Sequence, residues 1–532
     1  MTSSPAPTPS DTAPPAEAAP SRALAALSGV LAAAFGLGLG ELTAAAVTTW
    51  PSPVVAVGDR VIERTPSAVT RFAIDTFGTA DKPVLIAGTL LLLAVAAAGL
   101  GLLGRRRPGW ALAGVVVFGV ISAAATLAAP GAGFAALTPS AVTTIGALAA
   151  LLVLLSGLAQ RPAVSAPSGA RSALEPLSRR RFLTLASVVT AGSAASVAAG
   201  RLLITGFDVD AARAALQLPG PARSEDLPLP DDVSFDVEGL TPFITPNEDF
   251  YRIDINLELP RIDPQTHVLR VHGMVDQELR IAFTDLLRRE LVEVPITMTC
   301  VSNEIGGDLV DTAIWLGLPL RELLDEAGVD PDADQIVGRS VDGYTCGFPV
   351  DAAYDRDALV VVGMNGEPLP LEHGFPLRLI TPGIYGYVGA TKWLGEIELT
   401  RFDAFDQYWE PRGYDAQAPI KTQTRIDTPR GLATVDPGTV PIAGVAWAQT
   451  RGIERVEVRI DDGDWQDAEL APAVSDATWV PWRLAYDTTP GRHTVTVRAT
   501  DGDGEVQPEE RTGVAPNGAS GWHTTVFTVR DA

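Results

Sequence analysis

Ile-Thr-Met-Thr-Cys-Val-Ser-Asn, residues 296–303, is the stretch on which the reading of this chain turns. Apolar and β-branched residues run up to the cysteine, the composition of a strand that would deliver Cys300 to the rim of a sheet. The chain has only two cysteines, Cys300 and Cys346. Two cannot make a disulfide framework, and no CxxC or Cys/His cluster suggests zinc or an iron–sulfur centre. Taken alone, Cys300 is open to two readings. It is a buried structural thiol, the usual fate of a free cysteine, or a soft thiolate for a redox-active transition metal. A Cys300–Cys346 bridge would consume such a ligand.

Around that stretch the composition is divided. The chain has 532 residues, a net charge of −24 and 20% charged residues, yet its mean hydropathy is positive, +0.18. A membrane part joined to a soluble part explains both. The negative charge argues against nucleic acid, which needs a basic surface. Residues 1–20, rich in Pro, Ala, Ser and Thr, read as a disordered tail. The region 21–204 then carries five apolar segments, 24–47, 83–103, 110–129, 141–158 and 182–203, each near the roughly 20 residues that span a bilayer core. Arg105, Arg106 and Arg107 follow the second. Arg161, Arg171, Arg179, Arg180 and Arg181 precede the fifth. The positive-inside rule places both loops in the cytoplasm and everything after Leu203 outside the cytoplasmic membrane.

The fifth segment opens with Ser-Arg-Arg-Arg-Phe-Leu, 178–183, and reads as a twin-arginine export signal inside the chain or as an ordinary basic flank. Ser196 and Ala198 offer a loose cleavage site, but Arg201, Leu202 and Leu203 favour an uncleaved anchor. All five histidines lie beyond residue 205, so composition excludes histidine-ligated haem between the helices, and no haem is expected in this chain. Glu41 is the acid inside a span and reads as an interfacial, snorkelling residue. An amphipathic helix is expected over residues 61–77.

Residues 205–235 read as a linker. Over 236–404, strands (268–275, Leu359–Met364) mix with short helices (283–291, 318–327) without strict alternation, which predicts an α+β domain. Over 405–532, short alternating runs at 440–447, Ile453–Ile460, 479–486, 493–500 and 524–529 are separated by Asp/Gly turns. That is the pattern of an immunoglobulin-like β-sandwich. The turn at 501–504 reads as a solvated hairpin rather than a calcium site.

Three motifs stand in order. Thr-Pro-Asn-Glu-Asp-Phe-Tyr-Arg occupies 245–252. The cysteine stretch follows. Glu-His-Gly-Phe-Pro-Leu-Arg-Leu-Ile-Thr-Pro-Gly-Ile-Tyr-Gly, 372–386, then leads to Gly-Ala-Thr-Lys-Trp-Leu, 389–394. Together these resemble the sulfite oxidase family, over nearly all of 236–530. The resemblance implies a mononuclear molybdenum held by one molybdopterin and the Cys300 thiolate, with a dimerisation domain at the C-terminus and a homodimer through it. It implies a cofactor site of Asn247, Phe250, Tyr251, Arg252, Ser340, Asp342, His373 and Arg378, with Gly389, Ala390, Thr391 and Lys392 as the phosphate clamp. Tyr344 would be the phenol of the substrate pocket, and Arg252 a cationic contact to substrate or pterin. The reaction implied is oxygen-atom transfer on a small sulfur oxyanion or S-oxide, with electrons passing to a separate carrier or to quinone.

Two departures bear on substrate. Glu304 stands where sulfite oxidases carry arginine after the Cys-x-x-Asn step, and a glutamate there would repel sulfite. Arg252-Ile253-Asp254 replaces an Arg-Asn-His run. Beside the enzyme stand two other readings: a non-catalytic extracytoplasmic binding or sensor protein that retains the fold, and a transport component with an exported sensor domain.

Overall fold

The computed structural model describes residues 21–47, 50–65, 81–128, 133–158, 176–204, 208–222, 229–230, 232–255 and 259–531. It divides into two compact units, 1–207 and 208–532. The tail 1–20, the loop bearing Arg161 and Arg171, and most of the helix expected at 61–77 lie outside the described residues.

In the first unit five helices are long and apolar enough to cross a membrane: Arg22–Ala45, Ile86–Gly104, Pro108–Leu127, Phe134–Ser156 and Arg180–Gly200. They coincide with the five expected segments. Helix Arg22–Ala45 is the hub, packed on Asp81–Gly104, Thr138–Leu158 and Pro176–Ile204. Glycine permits these approaches. A β-carbon on Gly36 or Gly40 would collide with Thr143, and one on Gly29 with the Ala97 carbonyl. Small residues are what let helix backbones come this close. Large apolar side chains face outward instead, Leu92 at 72% and Leu91 at 65% exposure.

A further helix, Pro53–Arg64, starts upstream of the expected 61–77. Proline is favoured at a first helical position because its missing N–H costs nothing there. The Ser52 hydroxyl just before it accepts the Val54 N–H at 3.2 Å and donates to the Glu41 carboxylate at 2.5 Å. Glu41, expected as an interfacial residue, is engaged by a helix-capping serine.

In the second unit the stretch read as linker begins with a helix, Val209–Ala215, capped by Asp208 through the Ala211 N–H. Arg213 Nε donates to the Pro368 and Leu369 carbonyls at 2.9 and 3.0 Å, and Leu216 and Leu218 pack on the domain core. The Pro-, Ala- and Asp-rich composition conceals a docked segment.

The α+β domain has two sheets. One has five strands in the order Leu279–Ala282, Val268–Gly273, Leu394–Thr400, Gln335–Ser340, Thr345–Pro349. Its second and third strands are parallel, with Arg270 beside Glu396. The other sheet runs Ala390–Thr391, Arg378–Ile380, Leu359–Met364, Val310–Pro319, Val292–Thr299. Leu359–Met364 is buried along its whole length. Helix Leu320–Ala327 buries Leu320, Leu323, Leu324 and Ala327, one face of a 3.6-residue period, and ends at Gly328 with φ +68°.

Val292–Thr299 is an edge strand, and Cys300 is the first residue beyond it. Its pairing with Val310–Pro319 sets Thr299 opposite Val310. The C-terminal region, a four-stranded and a five-stranded sheet, covers the free edge. Thr297 N–H donates to the Ala477 carbonyl at 3.0 Å, and the Thr297 hydroxyl accepts the Trp479 N–H at 2.8 Å. Gln449 Nε2 donates to the Thr297 carbonyl at 3.1 Å. An uncovered edge would present unpaired backbone groups. Here the sandwich satisfies them and holds the strand that ends at the cysteine.

Candidate active site

A cleft of about 130 Å³ opens at that strand end. Cys300 lies in its floor, 8% exposed, with the Ser302 N–H donating to its Sγ at 3.4 Å. Burial raises the thiol above its ordinary value, and the Ser302 N–H partly opposes this. The turn after it is braced from within: the Cys300 N–H bonds the Leu309 carbonyl at 2.9 Å, and Asn303 Oδ1 accepts the Leu309 N–H at 3.0 Å.

One wall is basic. Its first segment, 245–255, is pinned by Asp311. One carboxylate oxygen accepts from Thr245 Oγ1 at 3.0 Å and the other from the Tyr251 N–H at 2.7 Å. Burial pushes this carboxyl up to about 6, against those two hydrogen bonds. His373 Nε2 donates to the Asn247 carbonyl at 3.1 Å, and burial, then the charge of Arg378, hold the ring down at about 4. Arg378 is 4% exposed. Its Nη1 donates to the His373 carbonyl at 3.0 Å, and its guanidinium stacks 4.9 Å from the Trp315 ring centre. Its Nε is buried with no hydrogen-bond partner, and desolvation lowers the guanidinium to about 10. Lys392 Nζ reaches the Glu372 carbonyl at 3.0 Å and Asp254 at 3.4 Å, and burial lowers it to about 8. Arg252 pairs with the same Asp254 at 2.9 Å.

The opposite chemistry is aromatic. The Tyr344 hydroxyl donates to the Tyr387 carbonyl at 3.0 Å, and the Tyr387 hydroxyl to the Asp415 carbonyl at 2.7 Å. Trp409 and Tyr414 meet edge to face at 5.2 Å, and Tyr387 and Tyr414 lie 5.5 Å apart.

Of the expected site residues, Phe250, Tyr251, Cys300, Ser340, Asp342, Tyr344, His373, Arg378, Ala390 and Lys392 line the cleft. Four stand outside the lining. The Asn247 side chain turns away to Asn365 at 2.8 Å and Glu367 at 2.5 Å, and only its carbonyl serves the site, through His373. Gly389 packs against Ile384. The Thr391 hydroxyl donates to Cys346 Sγ at 2.8 Å, away from Cys300. Arg252 stands at the margin, its side chain 43% exposed. Glu304, expected to repel sulfite, is exposed and outside the lining, in a turn where the Gly307 N–H bonds the Glu304 carbonyl. Sequence reasoning missed Asp254, Tyr387, Trp409 and Tyr414 as cleft residues. The last two fell beyond the boundary drawn at 404, although the dense aromatics of 408–414 were a usable signal.

Among the described residues no group of three or more His, Cys, Asp or Glu could hold a metal ion. A metal at Cys300 must bring its other ligands with it. A buried arginine with an unsatisfied donor, beside a desolvated lysine, fits a group that also brings negative charge, since a buried cation is costly until paired. A metal dithiolene carrying a phosphate meets both conditions.

Residues 256–409 match the oxidoreductase molybdopterin binding domain family, and 423–497 the bacterial Ig domain family. Mouse mitochondrial sulfite oxidase is 30% identical over 319 residues, 50% of this chain and 58% of its own length. The chain thus spans just over half of that relative. The oxidoreductase YuiH of Bacillus subtilis (strain 168) is 32% identical over 146 residues, 27% of this chain and 71% of that protein. Among solved structures, the sulfane dehydrogenase SoxCD from Paracoccus pantotrophus aligns with 55% of this chain and 85% of that one, at TM-score 0.48 and 23% identity. With an apolar helical region before it and an Ig-like region after it, this oxidoreductase chain belongs to the sulfite oxidase family of molybdopterin-dependent enzymes.

Proposed function

We propose that this chain is a membrane-anchored oxidoreductase that transfers an oxygen atom at a mononuclear molybdenum centre outside the cytoplasmic membrane, on sulfite or an S-oxide-type substrate. The observation that carries the reading is the buried, partly unsatisfied Arg378 beside a cleft floored by Cys300. One pterin per molybdenum suits this single-thiolate site. When bound, the group supplies a metal that exchanges an oxygen atom and stores two electrons.

The chain's residues do the rest. Cys300, as its thiolate, would hold the metal; its Sγ accepts the Ser302 N–H at 3.4 Å. Arg378 and Lys392 would hold the cofactor's negative charge. His373 is neutral near pH 7 and spends its Nε2–H on Asn247. Its Nδ1 is then left as an acceptor. The hydroxyl of Tyr344 is held well above its ordinary range by burial, so it works as a hydrogen-bonding phenol and not as a base. Arg252 acts from the margin, through Asp254.

Outward-facing leucines on five apolar helices support membrane anchoring. The arginine loops support an extracytoplasmic catalytic unit, exported through the twin-arginine segment. Electrons go to a separate carrier or to quinone, and the C-terminal sandwich joins two copies.

Elemental mass spectrometry on the natively produced protein, with Cys300→Ser beside it, tests the centre. Near-stoichiometric molybdenum in the wild type, with dye-linked activity lost in the variant, is expected. A folded, metal-free wild type would end the enzyme reading.

A further inference from the structure

The C-terminal sandwich grips the chain on both sides of Cys300. Before the cysteine, strand Val292–Thr299 is held at Thr297 by Gln449, Ala477 and Trp479. After it, the turn over residues 301–309 meets a different part of the sandwich, strand Gln423–Thr428 and His523. Gly306, at φ +77°, lies against the His523 ring, where a β-carbon would come within 2.4 Å of Nε2. A β-carbon on Gly521 would meet Ile305 Cδ1 at 2.8 Å.

The firmest hold on the turn is a buried cation. Arg425 is 8% exposed, and its guanidinium reaches in three directions. Nη1 donates to the Gly307 carbonyl at 2.9 Å, Nη2 to the Thr241 hydroxyl at 2.9 Å, and Nε to the Asp427 carboxylate at 2.6 Å. The other Asp427 oxygen accepts the Thr241 N–H at 3.1 Å. A rigid planar fork serves three such acceptors at once, which a lysine ammonium on its flexible stem does not. Thr241 leads into 245–252, where the Asn247 carbonyl takes the His373 N–H. One side chain therefore ties the turn after the cysteine to the segment that supports the basic wall. Neither Arg425 nor His523 lines the cleft, so what they do for Cys300 passes through the turn.

The turn has little to hold it from within. Asn303 Oδ1 accepts the Leu309 N–H, but its Nδ2 is buried with no hydrogen-bond partner. Two consecutive glycines, 306 and 307, widen the conformations open to it.

We propose that Arg425 is a positioning residue for Cys300: it fixes the turn over 301–309 against Thr241, so that the sulfur faces the cleft in one orientation before any cofactor binds. The sandwich is thereby part of the ligand site. This rests on the molybdenum reading above, which makes Cys300 a ligand.

Full-length, metal-free protein is treated with iodoacetamide, and modification of Cys300 is timed by peptide mass spectrometry. Arg425→Lys keeps a positive charge beside Asp427, a buried acid that is costly to leave unpaired, and loses the fork. Its Cys300 rate should rise about tenfold as the turn opens locally. Thr241→Val removes one limb and no charge, and should raise the rate about threefold. Val458→Ala, in the sandwich core, lowers the melting temperature without touching the turn and should leave the rate at the wild-type value. In protein produced with its cofactor, Arg425→Lys should lose molybdenum on dialysis about tenfold faster than wild type. Wild-type alkylation rates in both Arg425→Lys and Thr241→Val, wild-type molybdenum retention in Arg425→Lys, or an equal rise in Val458→Ala overturns the positioning role and leaves the family reading standing. If the lysine variant does not fold, Thr241→Val against Val458→Ala decides. A molybdenum-free wild type ends the reading on which the proposal rests, whatever the alkylation rates.

Discussion

Cys300 and Cys346 are both buried thiols raised by desolvation, the second to about 11, yet they belong to different chemistry. Cys346 sits inside strand Thr345–Pro349, opposite Gly338, wholly buried and bonded by the Thr391 hydroxyl. A β-carbon at Gly338 would crowd both its sulfur and Thr391. Cys300 sits one residue past a strand end, with a cleft before it. Burial alone does not separate the two thiols. What separates them is an unfilled space in front of one sulfur and basic groups around that space.

The largest expected effect breaks the comparison outright if it is wrong. Cys300→Ser should cut activity by more than about 100-fold, the loss seen when groups around a metal ligand are merely disturbed. Cys346→Ser should leave it within about threefold, since Cys346 does not line the cleft. Steady-state assays normalised to folded protein decide this. Next, in metal-free protein iodoacetamide should modify Cys300 first, and Cys346 only on unfolding, as peptide mass spectrometry would show. Equal rates would mean that the space in front of Cys300 is closed to a small reagent.

Acid should separate the two sides as well. His523 packs over Gly306 in the turn after Cys300 and accepts the Ile426 N–H at 3.0 Å. Burial, then Arg425, holds it at about 4, and His373 is held at about 4 likewise. The unfolded chain takes up these protons first. Stability is therefore full above the ordinary histidine value and falls as pH drops from about 6.5 toward 4. The melting temperature should follow, and His523→Gln should flatten part of that slope. The smallest effects belong to the Cys346 side. Thr391→Val should cost about 1 kcal/mol for its lost hydrogen bond, and Cys346→Ala about 1–2 kcal/mol, read from denaturant midpoints.

The strand leading to Cys300 was legible because Ile296, Thr297 and Thr299 are β-branched. Leu359–Met364 and Ile453–Ile460 were legible to the residue, one as a continuous apolar run and the other by alternation. The five apolar helices needed only length and hydropathy. What failed was orientation. Nothing local to Asn247 shows that Asn365 will capture its amide, because that partner arrives from another segment. Glu304 follows the cysteine closely in sequence, but a single turn puts it in solvent. Trp409 and Tyr414 have no periodicity to assign them to either neighbouring domain. Asp311, which holds the Tyr251 N–H from strand Val310–Pro319, is one acid among many until the chain is folded.

The parallel pairing of Val268–Gly273 with Leu394–Thr400 sets a timetable for synthesis. At the roughly 5–20 residues per second of translation, the first of these strands waits seconds on the ribosome for its neighbour. The arginine and lysine of the basic wall emerge late in that interval, and Trp409 and Tyr414 follow the last strand. A growing chain therefore displays the cysteine long before it can enclose anything beside it. The lining of the cleft is complete only once residue 414 has been made.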